Sequence, residues 1–241
     1  IGIWGSGILK DPITLCAIGF IFNSTYHLIQ NRKHAQSIFL IVISIILCFK
    51  LKPYILYTFI PAMFLWVQGG LSSKIKSSLV KVLITPIIIS GSVIGGYFFL
   101  TSISAGAGKY SLDNVQNVAE GFQDWHLYLA NTRNQSGYSL GEVSFTPIGV
   151  LQKVPEAFFV TYYRPLPFEI RNFATALESF QSTILLLLTI YLIFKVGPIN
   201  MVRIIISNNE LKAFLFFALT LGVTVGITSY NFGALSRYKL P

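Results

Sequence analysis

Charged residues are scarce in this sequence, and their scarcity excludes most classes of soluble protein. Only 11% of the residues are charged, 53% are hydrophobic, and the mean hydropathy is +0.64. A soluble domain usually has about 25% charged residues. Apolar runs at residues 79–100 and 173–194 reach the roughly 20 residues that a helix needs to cross a bilayer. We therefore predict an integral membrane protein.

Cysteine and histidine are also rare, so few residues are available to form a redox or metal site. Cys16 and Cys48 both lie inside apolar runs, where small buried residues are common. The sequence has no Cys-x-x-Cys motif, and its three histidines are scattered. We therefore expect neither a metal site nor a cofactor.

Acidic residues are outnumbered by basic ones, and the net charge is +9. The basic residues lie mostly at the ends of apolar runs, where they orient a membrane protein and contact anionic lipids. We therefore expect membrane lipids as partners and no nucleic acid. The centres of the predicted helices carry no acidic residue, which argues against a proton-coupled pump.

Six apolar segments divide the chain, at residues 12–29, 35–49, 53–67, 79–100, 173–194 and 211–230. They predict an all-α fold, a polytopic transmembrane helical bundle. The segment 35–49 is short enough to be re-entrant instead of a full span. Asn172 is a suitable N-cap for the fifth segment. The chain begins at Ile1 without a signal-peptide pattern, so we expect a piece of a longer protein.

The distribution of lysine and arginine predicts which side of the membrane each loop faces. The loops after the first, third and fifth segments, together with the first three residues of the segments that follow them, carry eight basic residues and one acidic residue, Glu210. The long interval at residues 101–178 carries five basic and seven acidic residues. By the positive-inside rule this interval is extracytoplasmic. It separates N-terminal membrane segments at residues 1–100 from C-terminal membrane segments at residues 179–241.

The extracytoplasmic interval contains two patterns of helical periodicity and one rigid turn. Residues 112–129 have the spacing of an amphipathic helix that carries Trp125. A polar loop at residues 131–146 follows, and a second amphipathic stretch at residues 147–163 is expected to break at Pro155. Two prolines then predict an extended backbone, without helix, at residues 162–169. This turn would present Arg164 and Glu169 at the start of the fifth segment.

The chemistry of this outer face suits an anionic, polyhydroxylated ligand. Arginine binds phosphate or carboxylate in a bidentate manner, and lysine contributes a point charge. Tyrosine and tryptophan rings pack on the apolar faces of sugars. A lipid-linked oligosaccharide would use all of these groups at one membrane interface. The simpler interpretations are that the lysines only anchor helices at the interface and that Arg164 and Glu169 form a structural ion pair.

Short patches of the sequence resemble a known group of membrane proteins. They are residues 4–11, Lys52-Pro53-Tyr54, the Tyr-Arg-Pro turn at residues 163–165, and the closing residues 237–241. These patches resemble bacterial O-antigen or capsular polysaccharide polymerase-like proteins and glycosyltransferases of the GT-C type. The resemblance implies a multi-pass protein of the bacterial inner membrane whose outer loop shapes a site for lipid-diphosphate-linked sugars.

The resemblance also implies roles for individual residues. Arginines such as Arg164 and Arg237 would steer the pyrophosphate in a metal-independent transfer, and we place Glu169 with them as a third catalytic residue. Many GT-C enzymes carry an acidic residue in the first outer loop, and Asp11 is the one candidate here, although helix capping explains it equally well. We predict further substrate-binding roles for Lys10, Asp11, Lys52, Tyr54, Trp125, Tyr163, Tyr238 and Lys239.

Three functions remain open from the sequence. The leading hypothesis is an enzyme that transfers or polymerises lipid-linked sugars on the outer face of the membrane. The alternatives are a transporter or flippase-like protein and a non-catalytic membrane scaffold. No inverted repeat, which would favour a transporter, is visible among the six segments.

Overall fold

A computed structural model describes residues 10–30, 32–73, 117–118, 120–125, 128, 137–141, 143–144 and 146–239. Across these residues the regular secondary structure is helical, and β-pairing is limited to one isolated bridge between Gly137 and Asn231. The predicted all-α fold is confirmed. The described residues fall into two compact units, one with residues 10–73 and 205–218, the other with the residues between 117 and 204 and residues 219–239.

The first unit contains three successive helices: α1 (Lys10–Ile29), α2 (His34–Leu51) and α3 (Pro53–Ser73). The break between α2 and α3 follows from Pro53, because the residue before a proline is disfavoured in the α conformation. Lys52 accordingly has φ −149° and ψ 76°. Aromatic rings fill the core of this unit: Phe22 lies 5.0 Å from Phe59 and 4.3 Å from Phe214, between ring centroids.

The second unit contains α4 (Pro147–Tyr163), a 3₁₀ turn (Pro167–Glu169), α5 (Phe173–Val196) and α8 (Phe232–Tyr238). Two further helices, α6 (Pro198–Ser207) and α7 (Asn209–Ser229), have residues in both units. The predicted N-cap of α5 is confirmed, because the Thr175 N–H donates to Asn172 Oδ1 over 2.8 Å. Thr146 caps α4 in the same way, through the Gly149 N–H.

Four of the described helices, α1, α2, α5 and α7, are long and apolar enough to cross a membrane. They correspond to the first, second, fifth and sixth predicted segments. Since α2 has 18 residues, it meets the length for a span and does not need a re-entrant path. The third segment forms α3, and the fourth segment, at residues 79–100, lies outside the described residues.

Two predictions about the region before α5 are wrong. Helix α4 does not break at Pro155 but continues from Pro147 to Tyr163. Its packing outweighs the one missing backbone bond, since Thr161 Oγ1 donates to the Gly222 carbonyl of α7 over 2.7 Å. Residues 162–169 are also not extended throughout, because α4 includes residues 162–163 and residues 167–169 form a 3₁₀ turn. Pro167 starts this turn at a position where proline's fixed φ is favourable.

Candidate functional site

The buried face of α5 is polar, although the helix is otherwise apolar. Every residue of α5 is described, and its four buried residues are Thr175, Glu178, Ser179 and Ser182. Their spacing of three, four and seven residues places them on one face of the helix. Large apolar residues such as Phe180 and Leu187 are exposed on the other faces. Polar groups inside a membrane protein are costly, and they commonly mark the path or the site of a polar ligand.

Glu178 is the charged member of this face and is held by residues from the end of the chain. It is 8% exposed, and Ser236 Oγ of α8 donates to Glu178 Oε1 over 2.7 Å. Lys239, which follows α8, donates through Nζ to the Thr161 carbonyl of α4 over 3.0 Å. Burial lowers the pKa of Lys239 to about 8, while the charge of Glu178 opposes this decrease. The short helix α8 is thereby fastened to both α4 and α5.

The predicted partners Arg164 and Glu169 form an ion pair beside this cluster. Arg164 Nε lies 3.0 Å from each oxygen of Glu169, and a terminal guanidinium nitrogen contacts the same carboxylate. The Leu166 N–H also donates to Glu169, over 2.8 Å. Burial raises the pKa of Glu169, but the bonds from Arg164 and Leu166 outweigh burial, so the net shift is downward. Glu169 therefore remains a carboxylate and fixes the direction of Arg164.

Arg164 also connects the ion pair to α5 and to an aromatic cluster. Its carbonyl accepts a hydrogen bond from Ser182 Oγ over 3.0 Å, and its guanidinium carbon lies 5.5 Å from the centre of the Phe232 ring. Phe232 lies 5.4 Å from Tyr138, which stacks on Tyr230 at 5.9 Å. All three rings are buried. They form the apolar wall of the site in the second unit.

The chain turns from α7 into α8 at Tyr230, whose backbone is unusual. Its φ of 46° lies in the left-handed region, which bulky residues rarely adopt. The following Asn231 caps α8 by accepting from the N–H groups of Gly233 and Ala234. Tyr138 holds this turn, because its N–H donates to the Tyr230 carbonyl over 3.2 Å and its hydroxyl to the Gly226 carbonyl over 2.7 Å. The turn therefore sets the position of α8 and of Lys239.

In the first unit, two predicted residues form a separate ion pair. Lys52 Nζ donates to Asp11 Oδ1, and both side chains are buried. The charge of Lys52 is therefore paired inside the unit, and the interpretation of Lys52 as an interface anchor stays a prediction. Tyr54 lies close by, with Lys52 Nζ 6.0 Å from the centre of its ring. Lys10 is exposed at the start of α1.

The remaining predicted residues occupy less enclosed positions. Tyr163 Oη donates to Thr189 Oγ1 of α5 over 3.4 Å. Arg237 is exposed on α8, and Tyr238 beside it is half-buried. Trp125 and Tyr128 are each more than half exposed and stack at 6.0 Å. Within the described part of the chain, no group of three or more His, Cys, Asp or Glu side chains is placed to hold a metal ion.

Glu178, Ser236 and Tyr138 were not predicted from the sequence as site residues. Glu178 was counted among the acidic residues of the outer interval and was given no role, although it lies inside the predicted fifth segment and is the sixth residue of α5. The signal that could have identified it is the spacing of Thr175, Glu178 and Ser182 within an otherwise apolar run. No comparable local signal marks Ser236, because its contact with Glu178 spans 58 residues of sequence.

The arrangement in the second unit combines groups of different chemistry. Lys239 and the exposed Arg237 supply positive charge, Glu178 supplies a buried carboxylate, and the hydroxyls of α5 supply neutral hydrogen-bonding groups. Comparison with models of known protein families, with characterised proteins and with solved structures gives no match. The candidate function therefore depends on this chemistry.

Proposed function

We propose that this protein transfers or polymerises lipid-linked sugars on the outer face of the bacterial inner membrane. The observation that carries the proposal is the attachment of α8, which brings Lys239 into one cluster with Thr161 and Glu178. This cluster joins a cation to polar groups at the start of a helix that can span a membrane. A lipid-linked sugar requires the same combination of groups at a membrane interface.

The proposed roles follow from the charge and exposure of each group. Lys239 and the exposed Arg237 would bind the diphosphate, since charge-assisted hydrogen bonds to phosphate are about twice as strong as neutral ones. Arg164 is already engaged by Glu169, so the pair would shape the entrance and hold Ser182 and Phe232 in place. The lipid chain would lie along the exposed apolar faces of α5.

The experiment that tests the proposal compares basic residues at the cluster with a basic residue outside it. We expect Lys239→Gln and Arg237→Gln to abolish long-chain glycan on cells while the protein level stays unchanged. Arg203→Gln is the control, because Arg203 is exposed on α6 and takes no part in the cluster. Normal glycan in both cluster variants would refute the proposal.

A transporter or flippase-like function is the second candidate, and the polar buried face of α5 favours it. Buried ionisable residues in membrane helices frequently line substrate paths. In proteoliposomes, movement of a lipid-linked sugar across the bilayer without growth of a glycan chain would support this candidate. Chain growth without net movement would support the proposed transferase.

A further inference from the structure

Two hydroxyl groups on α5 have no hydrogen-bond partner among the described residues. They belong to Ser179, which is 1% exposed, and to Thr183, one turn further along the helix. Buried hydroxyls are normally hydrogen-bonded, because the loss of their bonds to water is unfavourable. Thr189 shows the usual alternative on the same helix, since its hydroxyl donates to the Leu185 carbonyl over 2.8 Å. Ser179 and Thr183 therefore point to a group that supplies the missing bonds.

Glu178 directly precedes Ser179 in the sequence and belongs to the same buried face of α5. Its carboxylate accepts a hydrogen bond from the alcohol of Ser236 over 2.7 Å. A carboxylate can accept hydrogen bonds from several hydroxyls at once. The contact with Ser236 thus shows the kind of group that Glu178 binds at this place, a neutral alcohol.

The charge at this face discriminates between ligand classes. An anionic ligand would be repelled by Glu178, and a cationic ligand would compete with Lys239, whose charge Glu178 already faces. A neutral ligand with several hydroxyls has neither difficulty, and it both donates to Glu178 and bonds to Ser179 and Thr183. We propose that Glu178, Ser179 and Thr183 form a binding subsite for a neutral sugar unit.

This subsite deepens the proposed function, which supplies the reason to expect a sugar. The two parts of the ligand then have different binding residues within the second unit. Arg237 in α8 and Lys239 directly after it bind the diphosphate, and α5 binds the uncharged sugar. The competing explanation is that ordered water alone satisfies the hydroxyls, because buried water commonly has this role.

The test uses the whole chain reconstituted in lipid nanodiscs and two matched probes, glucose and glucuronate, observed by saturation-transfer NMR. The two sugars differ at one carbon, where glucuronate carries a carboxylate. We expect glucose to bind about tenfold more tightly than glucuronate, because the charge of Glu178 repels the carboxylate of glucuronate. We also expect Glu178→Gln to abolish this preference and Ser179→Ala to weaken glucose binding.

Glu210→Gln is the control, because Glu210 lies in the first turn of α7, and it should bind both sugars like the wild type. Equal binding of the two sugars to the wild type would overturn the subsite. Unchanged glucose binding in both Glu178→Gln and Ser179→Ala would also overturn it and would assign the hydroxyls to water. Glu178→Asp checks folding, since it keeps the charge and should retain part of the glucose signal. Normal cell-surface glycan in the Lys239 and Arg237 variants would refute the proposed function but not this binding result.

Discussion

Helices α3 and α5 differ in what they bury, although both are rich in apolar residues. Most buried residues of α3 are apolar, among them Phe59, Ile60 and Trp66. The buried residues of α5 are all polar. Each helix lies in its own unit and is held there by different contacts. Aromatic rings pack against α3, whereas hydroxyls and charges surround the buried face of α5.

The difference follows from the solvent that surrounds a membrane helix. Lipid tails are as apolar as leucine, so an apolar side chain gains little by turning inward, and either face can carry it. A polar side chain is instead favoured on the inward face, because an unsatisfied polar group in hydrocarbon is costly. An inward-facing carboxylate therefore needs a partner. Asp11 has the charge of Lys52, whereas Glu178 accepts a hydrogen bond from the neutral alcohol of Ser236.

The largest effect we expect comes from the ion pair of Asp11 and Lys52, to which we assign a structural role in the first unit. Lys52→Met leaves the charge of Asp11 buried without its lysine. It should lower the free energy of unfolding by about 3–5 kcal/mol. The double variant Asp11→Leu/Lys52→Met removes both charges and should recover most of this loss. The midpoint of unfolding in detergent micelles measures both changes.

The same double variant also tests whether the pair of Asp11 and Lys52 has only a structural role. If the pair only stabilises the first unit, the double variant folds and cells that carry it make long-chain glycan. A stable double variant that makes no glycan would place substrate binding at Asp11 and Lys52, as predicted from the sequence. The assignment of a structural role to this pair, with substrate binding confined to the second unit, would then be wrong.

A smaller effect is expected where small residues allow helices of the second unit to approach closely. A Cβ at Gly226 would lie 2.5 Å from the Ala157 carbonyl oxygen and 2.6 Å from Thr161 Oγ1. Because these are backbone and buried atoms, Gly226→Ala should reduce the free energy of unfolding by about 1–3 kcal/mol. In α1, a Cβ at Gly19 meets no atom within 4 Å, so Gly19→Ala should be neutral or slightly stabilising. Equal effects of the two substitutions on the unfolding midpoint would contradict close packing at Gly226.

Much of the fold could be predicted because its signals are local. Segments of about 20 apolar residues predicted α5 and α7, and Asn172 predicted where α5 begins, since capping depends on the next three residues. Pro155 was misread because a proline's local cost is smaller than the packing of α4. That packing involves Gly222, which lies far away in the sequence.

Less of the site could be predicted, because its contacts join distant parts of the chain. The pair of Arg164 and Glu169 was accessible, being five residues apart. The pairing of Asp11 with Lys52 spans 41 residues, and the contact of Lys239 with Thr161 spans 78. Composition and periodicity contain no information about such pairings. The predicted roles of Arg237 and Tyr238 and the orientation of the outer interval remain predictions.

The smallest effect we expect is the pH dependence of the pair of Arg164 and Glu169, which contrasts with the fully buried pair of the first unit. The pKa of Glu169 is lowered in the folded state, because the bonds from Arg164 and Leu166 outweigh burial. A lowered pKa means that the folded state binds the proton less readily than the unfolded state. The pair therefore contributes stability above the ordinary pKa of a glutamate, and this contribution disappears as the pH falls below it.

Because both side chains of this pair are partly exposed, the contribution should be at most about 1 kcal/mol. We expect Glu169→Gln to lower the unfolding midpoint near neutral pH and to flatten its decrease between about pH 6 and about pH 3. Glu156→Gln removes the more exposed pair with Lys153 and serves as the matched control. If Glu169→Gln shows the same decrease with pH as the wild type, Arg164 is not held by the charge of Glu169. Its guanidinium would then be available to a diphosphate. Arg164 would in that case bind the substrate and not only hold Ser182 and Phe232 in place.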